Sequence, residues 1–529
     1  MVTITSSASP PISTRQREEL RDRDRRRGAI AGVIAAIAML AVIVIFRQVT
    51  GVTSLLDALA DAVLLTLPMQ AFSFMLDMFG PQAKTLLLVG LIGGILLAGL
   101  LLGRLFAKQT AGSRRLQGPR ALTYAGGVFL VTALFILVFL QNRLPTELAG
   151  SRFVQVFIPL GVASLVFGLV LAGVLLVLRT FDPPAGAIPE RVAVTRRHAL
   201  AVGGIAVASL AGLAVLGREV GRVATRKALS TGPKGELPSV ITANDDFYTV
   251  SKNFVDPSPN RGENWSIEID GVVNQPMTVT RQQLEAMAAP EFVSTLTCIS
   301  NPIGGPLIGT ARWTGAPLAK VLALAGVGPG ATDLVMEGED GYTDSIPIER
   351  AMSPEPMVVW LMNGEPLPRI HGEPVRVIVP GVYGIKNVKW LTRLTVSNSD
   401  YQGYWQDRGW TDEGIVKTES RIDEPGDHAI LNVGPANIRG MAFAGDRGIQ
   451  KVEVSVDDGK TWREASIFEN PSPDGFSWVF WTLPWVFAQG TYKIVVRATD
   501  GTGEVQTSKG ADTLPDGASG WHKITVGVA

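Results

Sequence analysis

The stretch LMNGEPLPRIHGEPVRVIVPGVYGIKNVKWL, residues 361–391, decides how the second half of this 529-residue chain is read. Its middle, VRVIVP, is a short β-branched run that reads as a buried strand. Basic groups stand on the loops to either side. His371 and Arg376 lie five apart across a Gly and a Pro, and Lys386 and Lys389 follow a Gly-Val-Tyr-Gly turn. An arginine offers a planar fork suited to phosphate oxygens, a lysine adds a point charge, and turn amides can form an anion nest. A solvated basic face would explain any two of these features. Together they suggest a phosphorylated group held near a soft ligand.

The soft ligand lies upstream, in FVSTLTCISNPIGG (292–305). Cys298 is the only cysteine in the chain, so it forms no internal disulfide, iron–sulfur cluster or four-cysteine zinc site. VSTLT reads as a strand, and the Asn-Pro and Gly-Gly that follow force a turn. The sulfur therefore sits at a strand end, beside a loop that a bound group can approach closely. A buried inert thiol is the commonest fate of such a cysteine. A metal ligand and a nucleophile paired with His371 are the other readings.

Working outward, WSIEIDGVV, PMTVT and LTRLTVS read as strands, and RQQLEAMA and APLAKVLALAGV as helices. Their irregular interleaving predicts an α+β domain over 246–400, after a polar linker at 218–245. Beyond it, KVEVSVDDGKTW and TYKIVVRATDGTGEVQ alternate around turn signals, which predicts a β-sandwich over 401–529. Trp462, Trp478, Trp481 and Trp485 are expected in its core or at an interface. His428 and His522 are expected to be structural or exposed.

The N-terminal part is different. Five apolar runs are long enough for a bilayer core of about 30 Å, which takes roughly 17–25 helical residues. They are 29–46, 86–103, 121–140, 153–178 and 199–216, within a predicted transmembrane bundle at 29–217. A sixth apolar stretch, 52–79, carries Asp57, Asp61 and Asp77 and reads as interfacial or re-entrant. Basic residues in the successive segments outside the five runs number seven, two, five, two and four, beginning with the tail 1–28. The positive-inside rule then puts that tail in the cytoplasm and everything after residue 217 outside it. Arg218, Arg222, Arg226 and Lys227 cut against this order. The segment TRRHALAVGGIAVASLAGLAVLG (195–217) resembles an internal twin-arginine export signal, which would outrank local charge; snorkelling arginines are the plainer account. No histidine lies inside the five runs, so this part reads as a membrane-embedded anchor in contact with lipid rather than a haem carrier. A net charge of zero gives no reason to expect a nucleic-acid partner.

Over 246–400, TLTCISNPIGG, RWTGAPLAKVL, GYTDSIPIERAM and MNGEPLPRIHGEPVRVIVPGVYGIKNVKWL together resemble the molybdopterin domain of the sulfite oxidase family. VEVSVDDGKTW, SWVFWTLPW, YKIVVRATDGTG and GWHKITV resemble the immunoglobulin-like dimerisation domain that follows it in that family. The resemblance implies a molybdenum–molybdopterin cofactor with Cys298 as metal ligand and catalytic centre. It implies cofactor contacts from Tyr248, Ser251, Asp340, His371, Arg376, Asn387, Val388 and Lys389. Two positions depart from the pattern. Val250 stands where these enzymes carry an arginine, and Trp410 where they carry a tyrosine, so the pocket is expected to bind sulfite poorly. No b5-type haem domain is read in the chain.

The chain is thus expected to be a multi-pass membrane protein with its catalytic domain on the extracytoplasmic side. It would move an oxygen atom and two electrons on a small-molecule substrate. A separate electron partner, a quinone or a cytochrome, and a homodimer are expected with it. A membrane-tethered binding protein without catalysis, and a Cys298–His371 thiol enzyme, are the competing expectations.

Overall fold

The computed structural model describes residues 13–50, 59, 63, 83–111, 117–140, 151–180, 214, 235–253, 256–257, 265–472 and 474–529. The chain divides into two compact units, Met1–Thr225 and Arg226–Ala529.

The first unit holds helices α1 (Thr14–Thr50), α2 (Ala83–Gln109), α3 (Gln117–Leu140) and α4 (Ser151–Thr180). Among the described residues, Thr14–Phe46, Leu86–Gln109, Gln117–Val138 and Phe157–Thr180 are long and apolar enough to cross a membrane. Small residues let α1 and α2 touch backbone to backbone: a Cβ on Gly32 would fall 1.9 Å from the carbonyl oxygen of Gly99. Arg179 of α4 grips Asp24 of α1 through Nη2 (2.6 Å) and Nε (2.8 Å). Helix α1 begins inside the basic tail expected to precede it, because residues 14–27 hold no Pro or Gly and Arg15 pairs with Glu19 at i,i+4. The expected fifth helix at 199–216, the segment 52–79 and the Arg196–Arg197 pair lie outside the described residues, apart from Leu59, Val63 and Ala214.

The second unit begins with ten strands: β1 (Ser266–Gly271), β2 (Met277–Thr280), β3 (Phe292–Thr297), β4 (Ile308–Pro317), β5 (Asp333–Gly338), β6 (Thr343–Pro347), β7 (Met357–Met362), β8 (Glu365–Pro366), β9 (Arg376–Ile378) and β10 (Leu391–Ser397). They form two sheets, β2-β1-β10-β5-β6 and β3-β4-β7-β8, with β9 paired to β7. The β1–β10 pair is parallel and the others are antiparallel. Helix α5 (Arg281–Glu285) starts at a capping box between Thr280 and Gln283. Helix α6 (Leu318–Ala325) buries Leu318, Val321, Leu322 and Ala325, one face at helical spacing, and stops at Gly326 with φ +70°. These are the expected α+β pieces. The expected linker reaches less far: Thr242 and Asn244 are tied into the domain, since Asn363 Nδ2 donates to Thr242 O (2.9 Å) and Asn244 Oδ1 (2.8 Å).

A β-sandwich follows, with β11 (Glu419–Glu424), β12 (Ile430–Leu431), β13 (Gly434–Phe443), β14 (Ile449–Ser455), β15 (Arg463–Glu469), β16 (Val479–Phe487), β17 (Gly490–Asp500) and β18 (His522–Val528). The hydrogen-bonded order is β11-β13-β16-β15-β14-β17-β18-β12. Ile438, Val454, Trp481, Ile494 and Ile524 share its core, and Trp478 is fully buried where the sandwich meets the α+β part. His428 is exposed, whereas His522 is half-buried and accepts a hydrogen bond from Ile422 N through Nδ1 (3.0 Å).

Burial lowers the pKa of His522 from 6.5 to about 4. In the unfolded chain the imidazole takes a proton near 6.5; in the folded chain it resists until about 4. Between those values the unfolded state binds more protons, so this contribution is complete above 6.5 and is lost as pH falls toward 4. Its ceiling is about 3 kcal/mol. Glu419 and Asp423, which burial raises to about 7 and about 6, act in the opposite direction. The difference in unfolding free energy between wild type and His522→Asn isolates the histidine. It should shrink from pH 7 to pH 4 in denaturant titrations.

Candidate active site

Cys298 is the first residue past β3 and lines a cleft that opens to solvent. The loop is folded back on itself: Cys298 N donates to Leu307 O (2.9 Å) and Asn301 N donates to Cys298 O (2.9 Å). Burial pushes the thiol above its ordinary pKa, against the hydrogen bonds of Ser300 and the charge of Lys389. A thiol raised in this way is a weak nucleophile.

The stretch 361–391 builds the opposite wall. A short 3₁₀ turn, Arg369–His371, ends at Gly372 with φ +117°. A Cβ there would be strained and would lie 3.1 Å from the Cβ atoms of Arg376 and Lys389, so glycine lets these two side chains converge. His371 Nε2 lies 2.8 Å from Asn244 O; facing a carbonyl, it carries the proton, which leaves Nδ1 as the acceptor. Burial holds this histidine neutral, its pKa lowered to about 4. Among the described residues no hydrogen bond joins it to Cys298, which removes the geometric basis of a thiol–imidazole pair.

Arg376, at the head of β9, is 5% exposed. Its Nη1 donates to His371 O (3.0 Å) and Nη2 to Asn387 O (3.1 Å). Nε is sealed from solvent with no partner, and no carboxylate forms an ion pair with this guanidinium among the described residues. Burial lowers its pKa to about 10, so it stays charged at neutral pH. A buried cation without a counter-charge, lining a cleft beside a thiol, fits an anionic cofactor group.

The remaining expected residues divide. Tyr248, Ser251, Asp340, Asn387 and Lys389 line the same cleft, as does Val250. Asp340 accepts from Asn253 Nδ2 (2.7 Å) and Tyr342 N (3.1 Å). Lys389 Nζ donates to Val250 O and Ile370 O, both at 3.2 Å. The amide of Asn387 is spent on Val379 N (2.7 Å) and Tyr383 O (3.0 Å), so its side chain braces the Arg376 shelf. Val388 does not line the cleft; its side chain is buried in the core and its carbonyl accepts from Val377 N.

Two expectations are corrected. Lys386, grouped in sequence with the cofactor cations, turns inward and pairs with Asp344 (2.9 Å, fully buried) and Asp412 (2.9 Å). Attraction to these carboxylates outweighs burial and holds its pKa above the ordinary value. Trp410 does not line the cleft; it packs with Ile299, Tyr383 and Phe480 where the sandwich joins. Sequence reasoning missed Lys252, Tyr342, Trp390 and Trp405, which also line the cleft. Trp390 follows Lys389 in the sequence and adopts a positive φ of +53° in the folded chain.

Residues 255–405 match the family model described as the oxidoreductase molybdopterin binding domain, and residues 415–528 that of the Mo-co oxidoreductase dimerisation domain. The chain is 32% identical over 360 residues to the mitochondrial sulfite oxidase of Mus musculus, covering 58% of this chain and 65% of that protein. It is 30% identical over 334 residues to the sulfite oxidase of Gallus gallus, covering 54% and 72%. It thus spans about two thirds of the length of these curated relatives. Among solved structures, the sulfane dehydrogenase SoxCD of Paracoccus pantotrophus aligns with a TM-score of 0.49 at 24% identity, over 55% of this chain and 82% of that one.

Proposed function

The chain belongs to the sulfite oxidase family of molybdopterin oxidoreductases, whose cofactor is molybdenum–molybdopterin, and on that premise we propose that it is a membrane-anchored oxygen-atom-transfer enzyme acting on a small substrate outside the cytoplasm. The observation that carries the site is Arg376, a buried cation with an unpartnered Nε, opening on the same cleft as the only thiol.

In this reading Cys298 is the metal's thiolate ligand, and Arg376, His371 and Lys389 hold the anionic end of the pterin. Tyr248, Ser251 and Asp340 complete the wall around it, while Asn387 and Val388 brace the shelf from behind. When bound, the group supplies a soft-ligated molybdenum able to exchange one oxygen atom and two electrons with a substrate. Cys298 must lose its proton to serve, and its raised pKa means that the metal's charge has to drive that loss. Loading therefore releases a proton and weakens as pH falls. His371, neutral at every physiological pH, keeps the same tautomer throughout.

The substrate side of the cleft is apolar at Val250, which is 44% exposed. A substrate with less negative charge than sulfite suits that wall better. Among the described residues no cluster of three or more His, Cys, Asp or Glu could hold another metal. In this reading electrons are exchanged with a separate partner. The four apolar helices support a membrane anchor, and the dimerisation-domain match supports a homodimer.

Full-length protein purified from a host that makes the cofactor should contain one molybdenum per chain. It should turn over at least one of sulfite, an S-oxide or an N-oxide in a dye-coupled assay. Metal-free protein with activity lost to thiol alkylation would refute this reading. Protease added outside intact cells should remove the C-terminal half.

A further inference from the structure

The segment that carries Cys298 is gripped from behind by the sandwich, on both sides of the sulfur. Thr295 N donates to Phe476 O (2.9 Å), and Thr295 Oγ1 accepts from Trp478 N (2.9 Å). Past the cysteine, Arg421 Nη1 donates to Gly305 O (2.9 Å). The ring of His522 lies against Gly304, where a Cβ would fall 2.3 Å from it. Gly304 has φ +71°, so the loop already adopts a backbone that disfavours any side chain there.

Arg421 is the central member. Its side chain is 1% exposed and that of Asp423 is 0%, with Nε and Oδ1 2.8 Å apart. A buried ion pair is a poor stabiliser, because desolvating both charges cancels much of their attraction, and apolar replacements are often neutral. The hydrogen bond that the Arg421 side chain makes outside its own strand goes to the cysteine loop.

We propose that the C-terminal sandwich sets the position of the Cys298 sulfur, with Arg421 as the principal positioning residue acting through the Gly305 carbonyl. Cys298 is thereby tethered at Thr295 on one side and at Gly304 and Gly305 on the other. The loop is held still by a part of the chain that contributes no lining to the cleft. This rests on Cys298 being the metal ligand, but its mechanical part can be tested without metal.

The test uses full-length chain made with and without cofactor. Arg421→Met/Asp423→Leu removes both charges together and leaves no lone buried ion. In the cofactor-free protein, alkylation of Cys298 by iodoacetamide should accelerate about ten-fold or more as the loop opens, with the thermal midpoint close to wild type. Cys298 is the only cysteine, so the label reports that sulfur alone. In the loaded protein the Mo(V) paramagnetic resonance signal should shift. An unchanged alkylation rate and an unchanged signal in a folded double variant overturn the proposal. If that variant does not fold, Thr295→Val, which cuts the Trp478 link together with the Thr310 hydroxyl contact, is compared with Thr310→Val, which cuts only the latter. Alkylation faster in Thr295→Val than in Thr310→Val supports the proposal, and equal rates overturn it. Molybdenum missing from the wild type would overturn the cofactor reading only, since the metal-free rate reads the loop either way.

Discussion

Cys298→Ser is expected to lower oxygen-transfer turnover more than about 100-fold, with loss of the sulfur-to-metal charge-transfer band and of bound molybdenum. Losing an outer-sphere partner of a metal ligand costs about 10- to 100-fold, so losing the ligand itself should exceed that range. Serine is nearly the same size, and the cavity it leaves at this 5% exposed position is small. The fold should therefore survive. The chemistry should not, because an alcohol is a hard donor that holds its proton, whereas a thiolate is soft. Metal analysis, absorption spectra and dye-coupled turnover on matched preparations check it. A serine variant with full metal content and unchanged spectrum would show that the sulfur is a bystander.

Arg376→Met should weaken cofactor retention about 10- to 100-fold, measured as molybdenum lost on dialysis. The unpartnered Nε offers at least one charge-assisted hydrogen bond, worth about 1.5–3 kcal/mol. There is a second, less obvious consequence for stability. Holding this guanidinium charged in a buried site costs about 3 kcal/mol before an anion arrives, from its pKa lowered to about 10. Cofactor binding removes that cost in the wild type. The rise in thermal midpoint on loading should therefore be large in the wild type and much smaller in the methionine variant. Equal rises would mean that Arg376 does not meet the cofactor. Arg376→Lys should recover only part of the loss, since it restores charge without the planar fork.

Much of the site was legible because its residues sit in short, specific runs. Cys298 ends a strand-like VSTLT before a turn, and the structure puts it one residue past β3. His371, Arg376 and Lys389 were grouped from spacing alone, and the Gly372 turn lets the last two converge. Lys386 shows where that reasoning stops. It follows the same turn as Lys389 and is chemically identical, yet it is buried against Asp344 while Lys389 reaches the cleft. Its partner comes from β6, far away in the chain, and nothing near Lys386 announces it. Tyr342 and Trp405 were missed for a related reason: each belongs to a separate loop that meets the cleft only in the folded chain. The strand ESRIDE at 419–424 is rich in charge, yet the side chains of Arg421 and Asp423 are almost completely buried in the folded chain.

From sequence alone came the kinds and order of the parts: apolar helices, an α+β domain around one thiol, and a terminal sandwich. Periodicity, turn residues and residue scarcity are local properties, and local physics governs them. Only tertiary structure decided which charges are spent inside the protein and which are left facing the cleft. The energy of a buried charge depends on whatever remote segment folds against it, and that partner is visible only once the chain has closed on itself.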